Sequence, residues 1–286
     1  MAASQEPILE FKDVSLRFGD TWALRNVSLG LSPGETRIIF GAAGAGKTTL
    51  LKAVIGLVKV DEGGIKLFGR DVTSVGETAL FPLRARAGVL FQEGGLFDSL
   101  TVGENVEYPL LNQTANRQSV LHDVEGRVRD ALRFVELEHT YDQFPSELSG
   151  GMRRRVGIAR AVVTEPPLMI YDSPTAGLDP ITANTIMALV AKERDVRNSA
   201  SLIVTHRYQD GEIMSDFRYD QQNEDLVALT DDNDAAARNR TKVIVMKEGE
   251  VVFFGSKQEM EASRDEYVQR FVRHGDERHD DRKKKD

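Results

Sequence analysis

Residues 36–49, "TRIIFGAAGAGKTT", decide the fold of this chain. The opening "TRIIF" is a short apolar run, which predicts a buried strand. After the glycine-rich stretch, "KTTLLKAVIGL" repeats apolar side chains at Leu50, Leu51, Val54 and Ile55, the spacing of an amphipathic helix. The sequence therefore predicts a strand, a glycine-rich loop and a helix in direct succession.

The loop between these elements, "GAAGAGKTT" (41–49), has a glycine, four residues and then Gly-Lys-Thr, the pattern of a loop that cradles phosphates. Its glycines let the backbone approach an anion, and amide groups at the helix N-terminus point towards it. We expect Lys47 to reach β- and γ-phosphates, Thr48 to ligate Mg²⁺ and Thr49 to donate to an α-phosphate oxygen. The candidate phosphate-binding residues are Gly41, Gly44, Ala45, Gly46, Lys47, Thr48 and Thr49.

Composition narrows the class of protein. The 286 residues are 41% hydrophobic, which is enough for a substantial core. The chain contains no cysteine, which excludes disulfides and thiolate metal sites and fits a reducing compartment. A net charge of −8 opposes generic binding to nucleic acid or anionic lipid. Since neither a signal-like N-terminus nor a run of about 18 apolar residues occurs, we expect a cytoplasmic protein that reaches a membrane only through a partner.

Strand and helix patterns alternate along the chain, which predicts an α/β fold with a mostly parallel core sheet and helices on its faces. Residues 8–31 are rich in β-branched and aromatic side chains and predict an antiparallel β subdomain. Residues 63–72 suggest a hairpin, and residues 87–94 a buried strand. Residues 95–165 have amphipathic helical spacing and predict an inserted α-helical lobe.

The C-terminal part is less regular. Residues 216–240 carry seven acidic and three basic side chains with little apolar periodicity, which predicts a solvated insertion or loop. The expected domain spans residues 1–255. Residues 256–286 are expected to form a short helix near "EYVQRFV" and a disordered charged tail, "DERHDDRKKKD".

Two further motifs complete a nucleotide site. "LMIYD" (168–172) is an apolar strand that ends in Asp172, a carboxylate placed to hold Mg²⁺ through water. In "LSGGM", the residues Ser149, Gly150 and Gly151 stand at the start of a predicted helix, where an anion can bind. By itself such a segment is only a helix cap.

Taken together and in this order, the motifs over residues 8–255 resemble the nucleotide-binding domains of ATP-binding-cassette (ABC) ATPases, a class of P-loop NTPase. The resemblance implies ATP and Mg²⁺ as cofactors and a head-to-tail homodimer. In that dimer, Ser149, Gly150 and Gly151 of one protomer close over the ATP held by Lys47 of the other. A two-fold interface of this kind gives two equivalent sites.

The resemblance also implies roles for four more residues. Gln92 is similar to the glutamine that senses the γ-phosphate and the metal, so the expected metal site comprises Thr48, Gln92 and Asp172. Asp179 is similar to the dimer-loop aspartate, and His206 to the switch histidine at the γ-phosphate. Phe18 is similar to the aromatic that stacks on adenine. Each also has an ordinary alternative. Gln92 can be a polar strand end and Asp179 a turn former. His206 can be a histidine whose hydrogen bonds are satisfied at a strand end, and Phe18 a core aromatic.

One position departs from the family. A catalytic glutamate is expected after Asp172, and Ser173 stands there instead. A serine hydroxyl cannot accept a proton as a carboxylate does, which removes a contribution of about 10²–10⁴-fold. Phosphoryl transfer depends mainly on positioning and charge, so we expect slow rather than abolished hydrolysis. Asp179 as a substitute base, and a hydrolysis-poor ATP-dependent clamp with a regulatory or scaffolding role, remain alternatives.

Two longer segments suggest a particular ABC system. "LFQEGGLFDSLTVGENVEYPL" (90–110) and "PSELSGGMRRRVGIARA" (145–161), with Met152 where glutamine is common, resemble the ATPases of Mce-type lipid transporters, including the maintenance-of-lipid-asymmetry (Mla) system. This resemblance implies an inner-membrane permease, a periplasmic Mce-type lipid-binding protein and phospholipid transport. It places the chain on the cytoplasmic face of the inner membrane. A permease helix is then expected to dock near Phe97 and Leu100, which could equally be core of the lobe.

Overall fold

The computed structural model of the chain describes residues 6–92, 94–112, 123–230 and 234–273. Its strands are β1 (Leu9–Phe18), β2 (Thr21–Leu31), β3 (Thr36–Gly41), β4 (Glu62–Leu67), β5 (Arg70–Asp71), β6 (Ala87–Leu90), β7 (Leu168–Asp172), β8 (Ala200–Val204), β9 (Phe217–Asp220), β10 (Asp225–Ala228), β11 (Thr241–Lys247) and β12 (Glu250–Gly255). Its helices are α1 (Lys47–Val54), α2 (Glu77–Arg84), α3 (Val102–Asn112), α4 (Val124–Phe134), α5 (Gly150–Val162), α6 (Pro180–Arg197), α7 (Tyr208–Asp216), α8 (Ala235–Asn239), α9 (Lys257–Glu261) and α10 (266–273).

The central sheet has six strands in the order β12-β11-β3-β8-β7-β6. All neighbouring pairs are parallel except β11 and β12. The carboxyl ends of β3, β8 and β7 therefore lie side by side, at the end of the sheet where open α/β sheets bind their ligands. This arrangement confirms the predicted α/β fold with a mostly parallel core.

Strand β3 is buried along its whole length because both faces of the sheet are covered. Ile38 and Phe40 point into one apolar core, shared with the helical lobe and α6. Ile39 points into a second core, which the antiparallel layer and α1 share. This burial on both sides explains why the strand sequence is a continuous apolar run.

The antiparallel layer and the helical lobe also form as predicted. Strands β2, β1, β4 and β5 pair side by side in a separate four-stranded antiparallel sheet. Helices α3, α4 and α5 bury Val106, Val128, Leu132 and Val156 in their shared core. Residues 113–122 of the predicted lobe lie outside the described residues, as do all residues from 274 onward, which include the predicted charged tail, residues 276–286.

Residues 216–240 are not a simple solvated loop. Strands β9 and β10 form an antiparallel hairpin in this region. The hairpin is held on α6, since the backbone N–H of Tyr219 donates to Asp195 Oδ2 over 2.8 Å and Arg194 Nη2 donates to the Phe217 carbonyl over 3.0 Å. Sequence reasoning missed the hairpin because its strands have only four residues each and carry acidic side chains.

Within residues 256–273, the described part of the C-terminal segment, there are two helices rather than one. Helix α10 lies where a helix was predicted, and α9 was missed. A capping box starts α9: the Glu259 carboxylate accepts from the Ser256 N–H, and the Ser256 hydroxyl accepts from the Glu259 N–H. The sequence "SKQE" contains this signal. Helix α10 packs on the core through Val268 and Phe271, whose ring lies 6.0 Å from that of Phe40.

One acid in this core affects stability. Glu193 on α6 is fully buried beside Tyr171, and its carboxylate oxygens accept no hydrogen bond within the described part of the chain. Arg197 Nε lies 3.5 Å from Glu193 Oε2. Burial nevertheless dominates and raises the pKa of Glu193 from 4.5 to about 7.

We expect the contribution of Glu193 to make the protein less stable as the pH rises from 4.5 to 7. In that interval the folded protein retains a proton that the unfolded chain releases, so unfolding is favoured by up to about 3 kcal/mol. Between pH 5 and pH 8, the unfolding free energy of the parent should fall by about 2 kcal/mol more than that of Glu193→Gln, measured by urea titration. Glu62→Gln, at an exposed strand position, is the control. Equal pH dependence in the parent and Glu193→Gln would contradict the assignment.

Candidate functional site

A cavity of about 780 Å³ opens at the carboxyl edge of the central sheet, where β3, β7 and β8 end. Most of the predicted site residues lie together in its wall. These are Phe18, Gly41, Gly44, Ala45, Gly46, Lys47, Thr48, Thr49, Gln92, Asp172, Ser173 and His206. Four predicted residues lie elsewhere, namely Ser149, Gly150, Gly151 and Asp179.

The loop of residues 41–49 depends on its glycines. Gly44 and Gly46 have φ angles of +80° and +99°, which residues other than glycine adopt only with strain. A Cβ at Gly46 would also lie 2.2 Å from the Ala23 carbonyl oxygen. Gly46 is the N-cap of α1, so the positive end of that helix opens into the cavity. The loop is therefore shaped to bind an anion.

Lys47 is folded over this loop. Its ammonium donates to the carbonyl oxygens of Gly41, at 2.7 Å, and Ala42, at 2.8 Å. Burial lowers the pKa of Lys47, and the neighbouring Asp172 carboxylate opposes that shift. The ammonium is thus held at the phosphate-binding loop, where phosphate oxygens can replace the two carbonyl groups as acceptors.

The oxygen atoms next to Lys47 fit a magnesium ion. Thr48 Oγ1 donates to Asp172 Oδ2 over 3.3 Å, so a hydroxyl in the first turn of α1 and a carboxylate at the end of β7 converge. Mg²⁺ prefers such hard oxygen ligands, few from the protein and the rest from phosphate and water. Gln92 lies on the same cavity wall. The donor set therefore fits a Mg²⁺ ion bound together with nucleotide phosphates.

Ser173 lies on the cavity wall in a strained backbone conformation, with a φ angle of +51°. Its N–H donates to the Val204 carbonyl over 2.8 Å, and its hydroxyl donates to Asp172 Oδ1 over 3.3 Å. Among the described lining residues, Asp172 is the only carboxylate. The position of the expected general base is therefore occupied by a hydrogen-bond donor.

Asp179 has a structural task in its own protomer. Its Oδ1 accepts from the N–H groups of Ile181 and Thr182, both over 3.0 Å, and so caps α6. Hydrogen bonds from Thr182, and to a smaller extent from Ile181, hold the pKa of Asp179 below its ordinary value. A helix cap with a lowered pKa is a weak proton acceptor.

Ser149, Gly150 and Gly151 lie at the N-terminus of α5, away from the cavity. The Ser149 hydroxyl accepts from the Met152 N–H over 3.2 Å and caps the helix. A Cβ on Gly151 would lie 2.6 Å from Thr182 Cγ2, so the starts of α5 and α6 lie against each other. Within one protomer, this second predicted anion site does not reach the first.

The cavity also contains aromatic residues that sequence reasoning missed. Trp22 lies near Phe18, with the Arg17 guanidinium 4.8 Å from its ring centre. Phe271 reaches the cavity from α10. Trp22 follows Phe18 by four residues, so the sequence could have indicated that both lie at the same site. Nothing local in the sequence connects residue 271 with this loop.

Helix α10 also holds the start of the phosphate-binding loop. The Tyr267 hydroxyl accepts from the Ala42 N–H over 3.2 Å and donates to the Met246 carbonyl over 3.1 Å. The Tyr267 and Phe271 rings pack edge to face with centres 5.4 Å apart. The C-terminal helix is therefore part of the wall and of the support of the candidate site.

Comparisons with known proteins agree with this geometry. The family model described as "ABC transporter" matches residues 24–176. The methionine import ATP-binding protein MetN of Brucella abortus is 39% identical over 204 residues, which are 71% of this chain and 54% of that protein. The probable ribonucleotide transport ATP-binding protein mkl of Mycobacterium leprae is 35% identical over 198 residues, 69% of this chain and 56% of that protein.

Solved structures give the same result. The cbiO1 protein of Clostridium perfringens, described as part of the ABC transporter complex cbiONQ, is 28% identical with a TM-score of 0.72, covering 94% of this chain and 95% of that one. The ATP-binding cassette MJ0796, in a dimeric post-hydrolysis state bound to ADP and Pi, is 28% identical with a TM-score of 0.70, covering 87% of this chain and 98% of that one. The chain belongs to the ABC transporter family, and its fold is that of the ATP-binding cassette.

The match to these relatives is partial. This chain spans about half the length of the curated relatives it matches. The relatives above are named for methionine and ribonucleotide transport, so they give no support to the predicted Mce-type lipid system. Of the helices in the described residues, none has the length and apolar character needed to cross a membrane.

We expect Tyr267→Phe to weaken ATP binding about fivefold, because the variant loses the acceptor that fixes the Ala42 N–H and the loop must then be ordered by the ligand. The measurement is the Kd of a fluorescent ATP analogue. Tyr219→Phe, on the β9–β10 hairpin outside the cavity, is the matched control. An unchanged Kd in Tyr267→Phe would show that α10 does not support the loop.

Proposed function

We propose that this chain is the ATP-binding and ATP-hydrolysing subunit of an ABC transporter, which dimerises on ATP and drives a membrane permease. One observation carries the proposal: Lys47, Thr48, Asp172 and His206, from separate parts of the sequence, line one cavity that fits Mg-ATP. Family membership supports the same reaction, the conversion of ATP and water to ADP and phosphate.

The proposed binding mode assigns each group one task. The loop amides and Lys47 bind the phosphates, and Phe18 with Trp22 packs against the base. Thr48 and Asp172 would hold Mg²⁺, which would supply neutralisation of the phosphate charge. His206, at the end of β8, contacts the γ-phosphate, and Gln92 orients water beside it.

A second copy of the chain completes the site. The start of α5 is exposed and outside its own cavity, so it can cover the cavity of a partner in a head-to-tail dimer. Its N-terminus would supply an anion contact to the γ-phosphate from Ser149, Gly150 and Gly151. The dimeric state of the related cassette MJ0796 supports this arrangement.

Ser173 determines how fast this dimer hydrolyses ATP. Without a carboxylate at this position, the attacking water is aligned by His206 and Gln92, and its proton passes to a phosphate oxygen. The loss is about 10²–10⁴-fold in rate. If the loss is complete, the chain acts as an ATP-dependent clamp, the second candidate function, which Ser173 alone favours.

A groove of about 420 Å³ between α2, β6 and α3 is the proposed permease dock. Its walls carry exposed aromatic side chains, and the Phe97 and Tyr108 rings lie 4.8 Å apart. Asn105, fully buried, fixes the Phe97 segment, accepting from the Phe97 N–H over 2.8 Å. Leu100, predicted beside Phe97, does not line the groove. A short amphipathic helix on the cytoplasmic face of the permease fits this apolar surface.

The transported substrate is the most specific part of the proposal. The resemblance of residues 90–110 and 145–161 to Mce-type ATPases supports phospholipid transport with a periplasmic lipid-binding partner. The names of the MetN relatives support methionine import instead, through a match confined to about half of those proteins. In either case we place the chain as a homodimer on the cytoplasmic face of the inner membrane, without a nucleic-acid partner.

Steady-state hydrolysis of Mg-ATP tests the motor proposal. We expect turnover by the parent above the background of Lys47→Ala, which lacks the phosphate-binding ammonium. Ser173→Glu should increase kcat by about 10²–10⁴-fold because it restores a base. Dimerisation on ATP is followed in the same samples by light scattering.

The outcomes separate the candidates. Turnover by the parent supports the motor. Dimerisation on ATP without turnover, with activity restored in Ser173→Glu, supports the clamp. If neither protein binds or hydrolyses ATP, both proposals are wrong.

Co-purification from membranes tests the dock and the cargo. Phe97→Asp should reduce the co-purified permease at least tenfold, because a charge in the groove must be desolvated. Phe254→Asp, at an exposed position on β12 at the opposite edge of the sheet, is the matched control. The parent complex in proteoliposomes is then tested for ATP-dependent movement of labelled methionine and labelled phospholipid. Equal recovery with Phe97→Asp would contradict the proposed dock.

A further inference from the structure

Asp210 is a buried carboxylate close to the site but outside the cavity. It lies in the first turn of α7, and its side chain is 1% exposed. Its Oδ2 atom accepts two hydrogen bonds of 2.6 Å, from the hydroxyls of Thr175 and Thr205. Nothing in the sequence patterns singles out this residue.

The two threonines belong to two different loops of the site. Thr175 lies two residues after Ser173, in the loop that leads to α6. Thr205 directly precedes His206. The same two loops meet through the backbone, where the Ser173 N–H donates to the Val204 carbonyl over 2.8 Å. One carboxylate oxygen therefore ties the loop that carries Ser173 to the loop that carries His206.

The residue on the other side of His206 belongs to the same cluster. Arg207 Nη1 lies 3.6 Å from Asp210 Oδ1, and the Arg207 side chain is 12% exposed. The Arg207 N–H donates to Thr205 Oγ1 over 3.1 Å, and the Asp210 N–H donates to the Arg207 carbonyl over 3.2 Å. Both neighbours of His206 are thus held by Asp210, while His206 itself faces the cavity.

The energetics favour a tightly held arrangement. Removing a carboxylate from water is strongly unfavourable unless its hydrogen bonds and ion pair are kept. Burial raises the pKa of Asp210, and the bonds from Thr175 and Thr205 and the charge of Arg207 oppose that shift. Small displacements of either loop break a bond to a desolvated group, so they are strongly disfavoured.

We propose that Asp210 is a positioning residue for hydrolysis: through Thr175, Thr205 and Arg207 it holds His206 in register with the Ser173 side of the cavity. The inference rests on the proposed ATPase function. Asp210 does not line the cavity, so it acts through His206 and not on the attacking water.

This role matters more in a site that lacks a base. With Ser173 in place of a carboxylate, the remaining rate enhancement comes from alignment and charge, and a misplacement of about 1 Å can cost about 10²-fold. Of the aligning groups, His206 stands in the sequence between Thr205 and Arg207, two of the residues that Asp210 holds. Its position is therefore expected to limit kcat.

The test is a double-mutant cycle on kcat with Asp210→Asn, His206→Ala and the double variant. Asp210→Asn should lower kcat about 10- to 100-fold and leave the KM for ATP within about twofold of the parent value. In the His206→Ala background, Asp210→Asn should have no further effect, since both changes remove the same alignment. Asp195→Asn is the matched control: it removes a largely buried carboxylate that holds the β9–β10 hairpin.

Other results would overturn the inference. If Asp210→Asn lowers kcat by the same factor in the His206→Ala background as in the parent, the effect of Asp210 is independent of His206 and only structural. The same conclusion holds if KM rises while kcat stays constant.

A second pair of variants covers a failure of Asp210→Asn to fold. Thr205→Ser keeps the hydroxyl and should retain kcat, whereas Thr205→Val should lower it; equal rates would overturn the inference. These measurements are made in the parent and in Ser173→Glu. Absence of turnover in both proteins rejects the proposed function itself, a result distinct from a parent that hydrolyses ATP without coupling between Asp210 and His206.

Discussion

The parallel register of β3, β8 and β7 is the constraint on which the candidate site depends. Val204 pairs with Asp172, so β8 and β7 end at the same level, and Ile39 pairs with Val204, so β3 ends two residues further on, at Gly41. The phosphate-binding loop, His206 and Asp172 lie directly at those three ends. A shift of one residue in either pairing would displace a ligand by roughly 3 Å and turn its side chain to the other face. Two apolar cores, one on each side of the sheet, make such a shift costly.

Around this fixed edge, the loops are held by bonds that reach across the sheet. Thr48 and Asp172 meet from α1 and β7, and the Asp210 carboxylate joins the loops after β7 and β8. Tyr267 fixes the start of the phosphate-binding loop from the far end of the chain. At Ser173, where the sequence resemblance predicts a general base, the hydroxyl donates to Asp172 instead of accepting a proton. In the proposed function, hydrolysis at this site depends on the alignment of its groups.

Other surfaces of the protomer lie apart from the cavity. The starts of α5 and α6 lie together and away from it, which is the separation that a head-to-tail dimer requires. The aromatic groove lies beside β6, at one edge of the central sheet. In the proposed function, nucleotide, second protomer and permease bind separate surfaces, linked through the lobe that α5 shares with α3.

The sequence by itself determined the phosphate-binding loop, the strand that ends in Asp172, the α/β alternation and the helical lobe. Each of these is encoded in a short stretch of sequence, by apolar periodicity or by glycines that a local backbone conformation requires. Only the tertiary structure decided that Tyr267 reaches the loop and Phe271 the cavity, and that Asp210 ties the loops of Ser173 and His206 together. It also decided that Leu100 does not line the groove and that residues 217–228 form a hairpin. Ala42 and Tyr267 are 225 residues apart, and their contact exists only because the sheet order brings β3 and β11 together under α10. Local patterns encode local conformation, whereas such contacts depend on register and packing throughout the fold.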